Sequence, residues 1–182
     1  MRVISGMLKG RNIEGFTING TRPTMDRVKE SVFGMIQNNI KNSICLDLFA
    51  GSGSLGIEAI SNGVKKCYFV DNNPIAINIL NKNIDNFNIS DKSITIKNDY
   101  NNALSNFKNQ NIKFDIIFLD PPYNMHILND VMKYIVKNNL LNEEGLIICE
   151  VDNEYLQDIN GLEIIKMKKY GTTFVYIYKN IL

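Results

Sequence analysis

The sequence predicts an α/β protein with a mainly parallel sheet of seven strands that ends in an antiparallel hairpin. Short apolar runs alternate with segments of helical periodicity through most of the chain. A glycine-rich turn, residues 51–56, separates the first of these runs from a helix. The last two strand-like runs, residues 162–169 and 172–179, are joined only by Tyr170-Gly171 and must therefore pair antiparallel.

The chain begins with a small hairpin followed by a helix. Residues 2–5 and 11–13 are strand-like and lie around Gly6 and Gly10, a pattern that favours a hairpin with a wide loop. Thr24 is expected to cap the helix. One face of this helix is apolar and consists of Val28, Val32, Met35, Ile36 and Ile40.

The first 41 residues carry a positive charge. They contain seven Lys or Arg and three acidic residues, a net of +4, whereas the remainder has 13 basic and 16 acidic residues, a net of −3. A basic end on a nearly neutral protein is expected where that end meets nucleic-acid phosphates. The alternative is ordinary solvated charge. The candidate phosphate contacts are Arg2, Lys9, Arg11, Arg22 and Arg27.

The central strands are predicted one after another. Residues 44–49, the glycine turn and a helix through Ile60 form the first half of a Rossmann-like unit, which admits a ligand close to the backbone. The later strands are predicted at 66–70, 93–97, 114–119 and 145–151, and acids lie at or near their ends: Asp71, Asp99, Asp120 and Glu150. After the second strand, Pro74 can begin a helix that is expected to bury Ile75, Ile79, Leu80 and Ile84; another helix is predicted at 127–136.

Two cofactors compete for the glycine turn. Gly51-Ser52-Gly53-Ser54-Leu55-Gly56 matches the dinucleotide pattern G-x-G-x-x-G, and Asp71 lies 20 residues beyond Gly51. However, carboxylates at successive strand ends would repel a diphosphate and attract a cation. These acids are Asp47, Asp71, Asp99 and Asp120. We therefore favour S-adenosylmethionine, which is cationic and has no phosphate, over NAD.

Asp120-Pro121-Pro122-Tyr123 ends the apolar run 114–119 abruptly. Two prolines cannot continue a strand, so Asp120 and Tyr123 are expected at the carboxyl edge of the sheet. A carboxylate and a freed backbone carbonyl can accept two N–H bonds, and an aromatic ring can stack on a base. This combination suits the exocyclic amine of a nucleobase. The alternative is an ordinary turn with a packed tyrosine.

Other features exclude several classes of protein. No apolar run approaches the roughly 20 residues of a membrane span, and no signal-peptide core follows Met1, so a cytoplasmic protein is expected. The chain is interpreted as one domain, residues 1–182. The three isolated cysteines, Cys45, Cys67 and Cys149, indicate neither a metal site nor a disulfide framework. The single histidine, His126, is assigned to a surface loop.

The motifs together resemble a known family. Asp47-Leu48-Phe49-Ala50-Gly51-Ser52-Gly53 and Asp120-Pro121-Pro122-Tyr123 resemble class I methyltransferases that modify exocyclic amines of nucleobases. The chain is further similar to the RsmD family of bacterial 16S rRNA guanine-N2 methyltransferases. That similarity lies in Arg2-Val3-Ile4-Ser5-Gly6, Lys9-Gly10-Arg11, Arg22-Pro23-Thr24, Asp26-Arg27-Val28-Lys29-Glu30 and Tyr170-Gly171. It covers essentially the whole chain.

The resemblance implies methyl transfer from S-adenosylmethionine to the N2 amine of one guanine in 16S rRNA, within an assembled or nearly assembled small subunit. We further expect a monomer without metal, whose residues 1–41 form an RNA-binding extension, although no feature of the sequence indicates the oligomeric state. The implied cofactor residues are Asp47, Phe49, Gly51, Gly53, Asp71, Asn72 and Asp99; those for the flipped guanine are Asp120, Pro121, Pro122 and Tyr123. An NAD-dependent oxidoreductase, an adenine-N6 methyltransferase of DNA or another RNA, and a non-catalytic RNA-binding protein are the alternatives.

Overall fold

A computed structural model describes residues 1–15, 23–122, 127–152 and 156–182. Its helices are α1 (Pro23–Ile40), α2 (Ser54–Ser61), α3 (Pro74–Phe87), α4 (Tyr100–Asn109) and α5 (Leu128–Lys137). Its strands are β1 (Ile44–Asp47), β2 (Lys66–Asp71), β3 (Ser93–Lys97), β4 (Phe114–Leu119), β5 (Leu141–Asp152), β6 (Leu162–Tyr170) and β7 (Thr173–Asn180). Arg22, Tyr123 and His126, which the sequence analysis singled out, lie outside the described residues.

The strands form one seven-stranded sheet in the order β3-β2-β1-β4-β5-β7-β6. The first five strands are parallel, and β7 runs antiparallel to both β5 and β6. This arrangement confirms the predicted fold class. From β1 the chain continues to β2 on one side and returns to β4 on the other, so the carboxyl ends of β1 and β4 mark the switch point where open α/β sheets bind ligands.

Helices cover both faces of the sheet. One core cluster joins a face of the sheet to α1, α2 and α3, and the other joins the opposite face to α4 and α5. Alternation along β4 shows the division, because Phe118 belongs to the first cluster and Leu119 to the second. The first face, called here the α1 face, also carries the N-terminal hairpin.

The hairpin is present but pairs through a single β-bridge, between Arg2 and Asn12. Its loop contains a short 3-10 helix, Gly6–Leu8. Gly6 has a φ of 75°, and a Cβ atom there would lie 2.0 Å from the carbonyl oxygen of Ser61. Glycine therefore allows the hairpin to pack directly on the end of α2.

Three local predictions were wrong. The first helix starts at Pro23, so Thr24 lies inside α1 instead of capping it. Ile75 is 62% exposed, and α3 buries Ala76 and Ile77 in the same turn. The fifth strand begins at Leu141, because this residue pairs with the start of β4 ahead of an irregularity in the register.

The described part of the chain contains no helix with the length and apolar character that a membrane span requires. Cys45, Cys67 and Cys149 are free and buried, as expected of cysteines within strands.

Candidate active site

A cavity of about 510 Å³ lies at the carboxyl edge of the sheet. The ends of β1 to β5 form its floor, and α1 contributes Val28, Lys29 and Val32 to its wall. Most of the residues predicted to bind the cofactor or the nucleobase line this cavity: Phe49, Gly51, Asp71, Asn72, Asp99, Asp120, Pro121 and Pro122.

Asp71 holds the glycine turn in place. Its Oδ2 accepts a hydrogen bond from the Gly51 N–H at 2.8 Å, and its Oδ1 accepts one from Asn73 at 2.9 Å. Gly51 and Gly53 have φ values of 54° and 87°, in the left-handed region that favours glycine. The acid at the end of β2 therefore fixes the turn between β1 and α2 as well as lining the cavity.

Asp47 and Gly53 lie behind the cavity wall. Asp47 is only 2% exposed, and its Oδ2 accepts a hydrogen bond from Gly56 N–H, in the first turn of α2, at 3.0 Å. Burial raises the pKa of Asp47 to about 7, the Gly56 hydrogen bond opposes this shift, and the charge of Asp71 adds to it. A Cβ atom on Gly53 would lie 2.4 Å from Cδ1 of Leu80. These two residues support the turn from beneath.

The far end of the cavity is lined by two aromatic rings. The ring centroids of Phe49 and Tyr100 lie 5.5 Å apart at an interplanar angle of 47°. Asp99 precedes Tyr100 and caps α4 by accepting a hydrogen bond from Asn101 N–H at 2.9 Å. Tyr100 was not predicted as a site residue, although its position directly after an acidic strand end could have indicated it.

Asp120 and Glu150 lie side by side on the cavity wall. Leu119 pairs with Cys149 in the parallel β4–β5 ladder, so the two acids occupy the next register position. Burial is the main cause that raises the pKa of Asp120 to about 7, with contributions from Asp47 and Asp152. The pKa of Glu150 is also raised, by burial and then by Asp120 and Asp152. Glu150 was predicted at a strand end, but no role was predicted for it.

Lys29 was missed as part of the site. Its ammonium group is buried and lies 3.1 Å from Oε2 of Glu58. It also donates to the Arg2 carbonyl at 2.6 Å and to Ser54 Oγ at 3.2 Å. Glu58 in turn accepts hydrogen bonds from the backbone N–H groups of Ile4 and Ser5. This pair joins the hairpin, α1 and α2 at the cavity wall.

The described candidate RNA contacts are exposed on the hairpin and on α1, which pack against the α1 face: Arg2, Lys9, Arg11 and Arg27. Nε of Arg2 lies 3.3 Å from Oδ2 of Asp26. The Arg11 guanidinium donates to the Asn86 carbonyl at 2.5 Å and lies 4.6 Å from the ring centroid of Phe87. These contacts hold the two arginine side chains against α1 and α3.

The doubly covered parallel sheet and its carboxylate-lined cavity at the switch point define a class I methyltransferase. S-adenosylmethionine is the methyl donor of this class. The family model described as Conserved hypothetical protein 95 matches residues 1–179. The chain belongs to this family, the RsmD family, which confirms the predicted membership.

Individual relatives agree with this assignment. YlbH of Bacillus subtilis (strain 168) is 40% identical over 181 residues, which are 98% of each chain. Ribosomal RNA small subunit methyltransferase D of Haemophilus influenzae is 33% identical over 181 residues, covering 99% of this chain and 94% of the relative. The crystal structure of HI0767 from Haemophilus influenzae superposes with a TM-score of 0.82 at 31% identity, over 100% of this chain and 98% of that one.

Proposed function

We propose that the protein transfers a methyl group from S-adenosylmethionine to the exocyclic N2 amine of a guanine in 16S rRNA of the small ribosomal subunit. The observation that carries this proposal is the position of Asp120-Pro121-Pro122, which ends β4 on the cavity wall at the switch point of the sheet. A relative named for methylation of small-subunit ribosomal RNA supports the substrate class.

The cavity fits a cationic methyl donor. Its described wall includes the carboxylates of Asp71, Asp99, Asp120 and Glu150. Lys29 also lies on that wall, but Glu58 balances its charge at 3.1 Å. The local potential therefore favours a sulfonium and an ammonium group over a diphosphate, which supports S-adenosylmethionine against NAD.

Each part of the wall suits one part of this cofactor. Gly51 would border its methionine end, with Asp47 and Gly53 supporting the turn from behind. Asp71 and Asn72 would accept hydrogen bonds from the ribose hydroxyls. Asp99 and the rings of Phe49 and Tyr100 would hold the adenine, since these rings offer apolar faces near a polar acceptor.

Asp120 would orient the reacting amine. The lone pair of guanine N2 is delocalised into the ring, so hydrogen bonds from N2–H to the Asp120 carboxylate and the Pro121 carbonyl favour a pyramidal nitrogen. When bound, S-adenosylmethionine would supply an electrophilic methyl group; its C–S bond would break as the N–C bond forms, with the electron pair passing to sulfur. A carboxylate with a pKa near 7 can then receive the proton that N2 loses.

The RNA would be held both at the cavity and by residues 1–41. The target guanine must leave its stack to reach the cavity, and Tyr123 would stack on it. Residues 1–41 would contact the RNA backbone through exposed basic side chains on the elements that pack against the α1 face. We propose that a monomer acts in the cytoplasm on an assembled or nearly assembled subunit.

The test is methyl transfer to purified small subunits that lack the modification, with the product nucleoside identified by mass spectrometry. The proposal expects N2-methylguanosine in 16S rRNA, dependent on S-adenosylmethionine. A methylated adenine would assign the protein to the adenine-N6 class, and no transfer to RNA in subunits or free form would overturn the proposal.

A further inference from the structure

The cavity has two sides that meet at Asp120. The glycine turn, Asp71 and Asp99 lie at the carboxyl ends of β1, β2 and β3, on one side of β4. On the other side, the described wall residues of β5 and β7 are Ile148, Glu150 and Val175. Because the cofactor residues occupy the first side, the base must enter over the second. Of these three described residues, Glu150 is the polar one.

The geometry places the Glu150 carboxyl next to that of Asp120. The two residues follow the paired residues Leu119 and Cys149 on neighbouring parallel strands, which are about 4.8 Å apart. Phe118 and Ile148, two positions earlier, both face the α1 side. Both acids therefore point from the same face of the sheet into the same cavity.

Glu150 has unused hydrogen-bonding capacity. Within the described ranges no group donates a hydrogen bond to its carboxyl, whereas Asp152 on the same strand accepts one from the Thr173 hydroxyl at 2.6 Å. A half-buried carboxyl group on a cavity wall is expected to accept a hydrogen bond from a ligand, since leaving it unpaired costs free energy.

Nucleobases differ in the atom beside their exocyclic amine. In guanine, N2 is adjacent to N1–H, a second donor. In adenine, N6 is adjacent to N1, and in cytosine N4 is adjacent to N3; both ring nitrogens are acceptors. Two carboxyl groups one strand apart can accept from the N2–H and N1–H of guanine, but the second would face a lone pair in the other bases.

We propose that Glu150 accepts a hydrogen bond from N1–H of the flipped guanine and thereby selects guanine over bases with an acceptor at that position. This inference rests on the proposed function and adds a specificity-determining residue to it. The positive charge of the methyl donor favours the ionised form of both carboxyl groups when the site is filled.

The sharpest probe is 2-aminopurine, which keeps the 2-amino group but has an acceptor in place of N1–H. Small subunits are reconstituted with guanine or 2-aminopurine at the position that the wild-type protein methylates. Single-turnover rates on the two substrates are compared for wild type and Glu150→Gln. The matched control is Glu143→Gln, which makes the same change at an exposed carboxyl near the other end of β5.

In wild type we expect the guanine substrate to react at least about tenfold faster than the 2-aminopurine substrate, the ratio expected from one charge-assisted hydrogen bond. Glu150→Gln should narrow this ratio about tenfold, because its side-chain amide can donate to an acceptor nitrogen. Glu143→Gln should keep the wild-type ratio. Glu150→Asp, which keeps the charge but withdraws it by one methylene, should slow guanine methylation and still reject 2-aminopurine.

The inference is overturned if Glu150→Gln keeps the wild-type ratio of the guanine rate to the 2-aminopurine rate. In that case methylation of guanine by the wild-type protein would still support the proposed function. Failure of wild type to methylate guanine would instead overturn the proposed function. If Glu150→Gln turns over neither substrate, competition binding of the two subunits measures the same preference, and an unchanged binding ratio also overturns the inference. If Glu150→Gln does not fold, the inference is overturned when Glu150→Asp methylates the guanine substrate at the wild-type rate.

Discussion

The ammonium nitrogen of Lys29 lies 3.1 Å from Oε2 of Glu58, and both side chains are almost completely buried. Removal of one partner leaves a buried charge without its counterion, which costs about 3–5 kcal/mol. We therefore expect Lys29→Met to lower the free energy of unfolding by roughly this amount. Urea denaturation measures it.

The matched control for this prediction is Lys41→Met, which changes an exposed lysine just beyond α1. Its effect should stay within about 0.5 kcal/mol, as is usual for surface substitutions. Equal stability of the Lys29 and Lys41 variants would contradict a structural role for the buried pair.

Asp120→Ala removes the acceptor proposed for the N2–H group. Single-turnover methylation should slow by about 100-fold or more, comparable to the removal of one preorganised electrostatic interaction. Asp120→Asn keeps one acceptor oxygen and should retain more activity than the alanine variant. Asp91→Ala, an exposed acid before β3, serves as the control. A folded Asp120→Ala protein with a near-normal rate would eliminate the proposed mechanism.

The stability of the unliganded protein should fall as pH rises from about 4 to about 7. The pKa of Asp47 is raised to about 7 by burial, against about 4 in the unfolded chain. In this interval the folded state binds the proton and the unfolded state does not, so the stabilisation present below pH 4 is lost as pH rises through 7.

Asp47→Asn removes this titration and should make the decline in stability with pH less steep. Part of the decline should remain, because the pKa values of Asp120 and Glu150 are also raised. The loss for one such group approaches about 1.4 kcal/mol per pH unit. Thermal or urea melts at several pH values measure it. An identical pH dependence in wild type and Asp47→Asn would show that Asp47 is ionised in the folded protein throughout.

Lys9 and Arg27 are exposed on the hairpin and α1, where the RNA backbone is proposed to bind. Their replacement by Gln should weaken binding of small subunits and reduce the salt dependence, by about 0.9 in log–log slope for each duplex phosphate that is no longer neutralised. The affinity for S-adenosylmethionine should not change. Filter binding at several salt concentrations, with calorimetry for the cofactor, measures both.

Lys108 and Lys133 provide the matched control, because they are exposed on α4 and α5, across the sheet from α1. Their replacement by Gln removes the same charge from the opposite face and should leave RNA binding largely unchanged. Equal losses of affinity in the two double variants would indicate a general charge effect instead of an RNA surface on the hairpin and α1.

The order of the elements was predictable because it depends on local patterns. Short apolar runs such as residues 114–119 that are bounded by breakers favour buried strands, and the prolines after Asp120 must end that strand. The glycines at 51 and 53 likewise predict a turn, and the structure places both in the left-handed region. Since the carboxyl ends of parallel strands share one edge, the convergence of Asp71, Asp99 and Asp120 followed from the same patterns.

Predictions were wrong or incomplete where a residue's surroundings depend on elements distant in the chain. Ile75 fits the helical periodicity of α3, yet the packing of that helix leaves it exposed. Lys29 reads as surface charge in the sequence, but α2 supplies Glu58 as its buried partner. No pattern within α1 contains that information, because the two residues are 29 positions apart.

The sequence by itself determined the fold class, the edge of the sheet that holds the site and the family to which the chain belongs, since each depends on short motifs and on strand periodicity. Only the tertiary structure decided that β7 lies between β5 and β6, that Asp47 supports the glycine turn from behind, and that Glu150 stands beside Asp120. The physical reason is that strand register and side-chain burial are set by packing between distant segments, which no local pattern specifies.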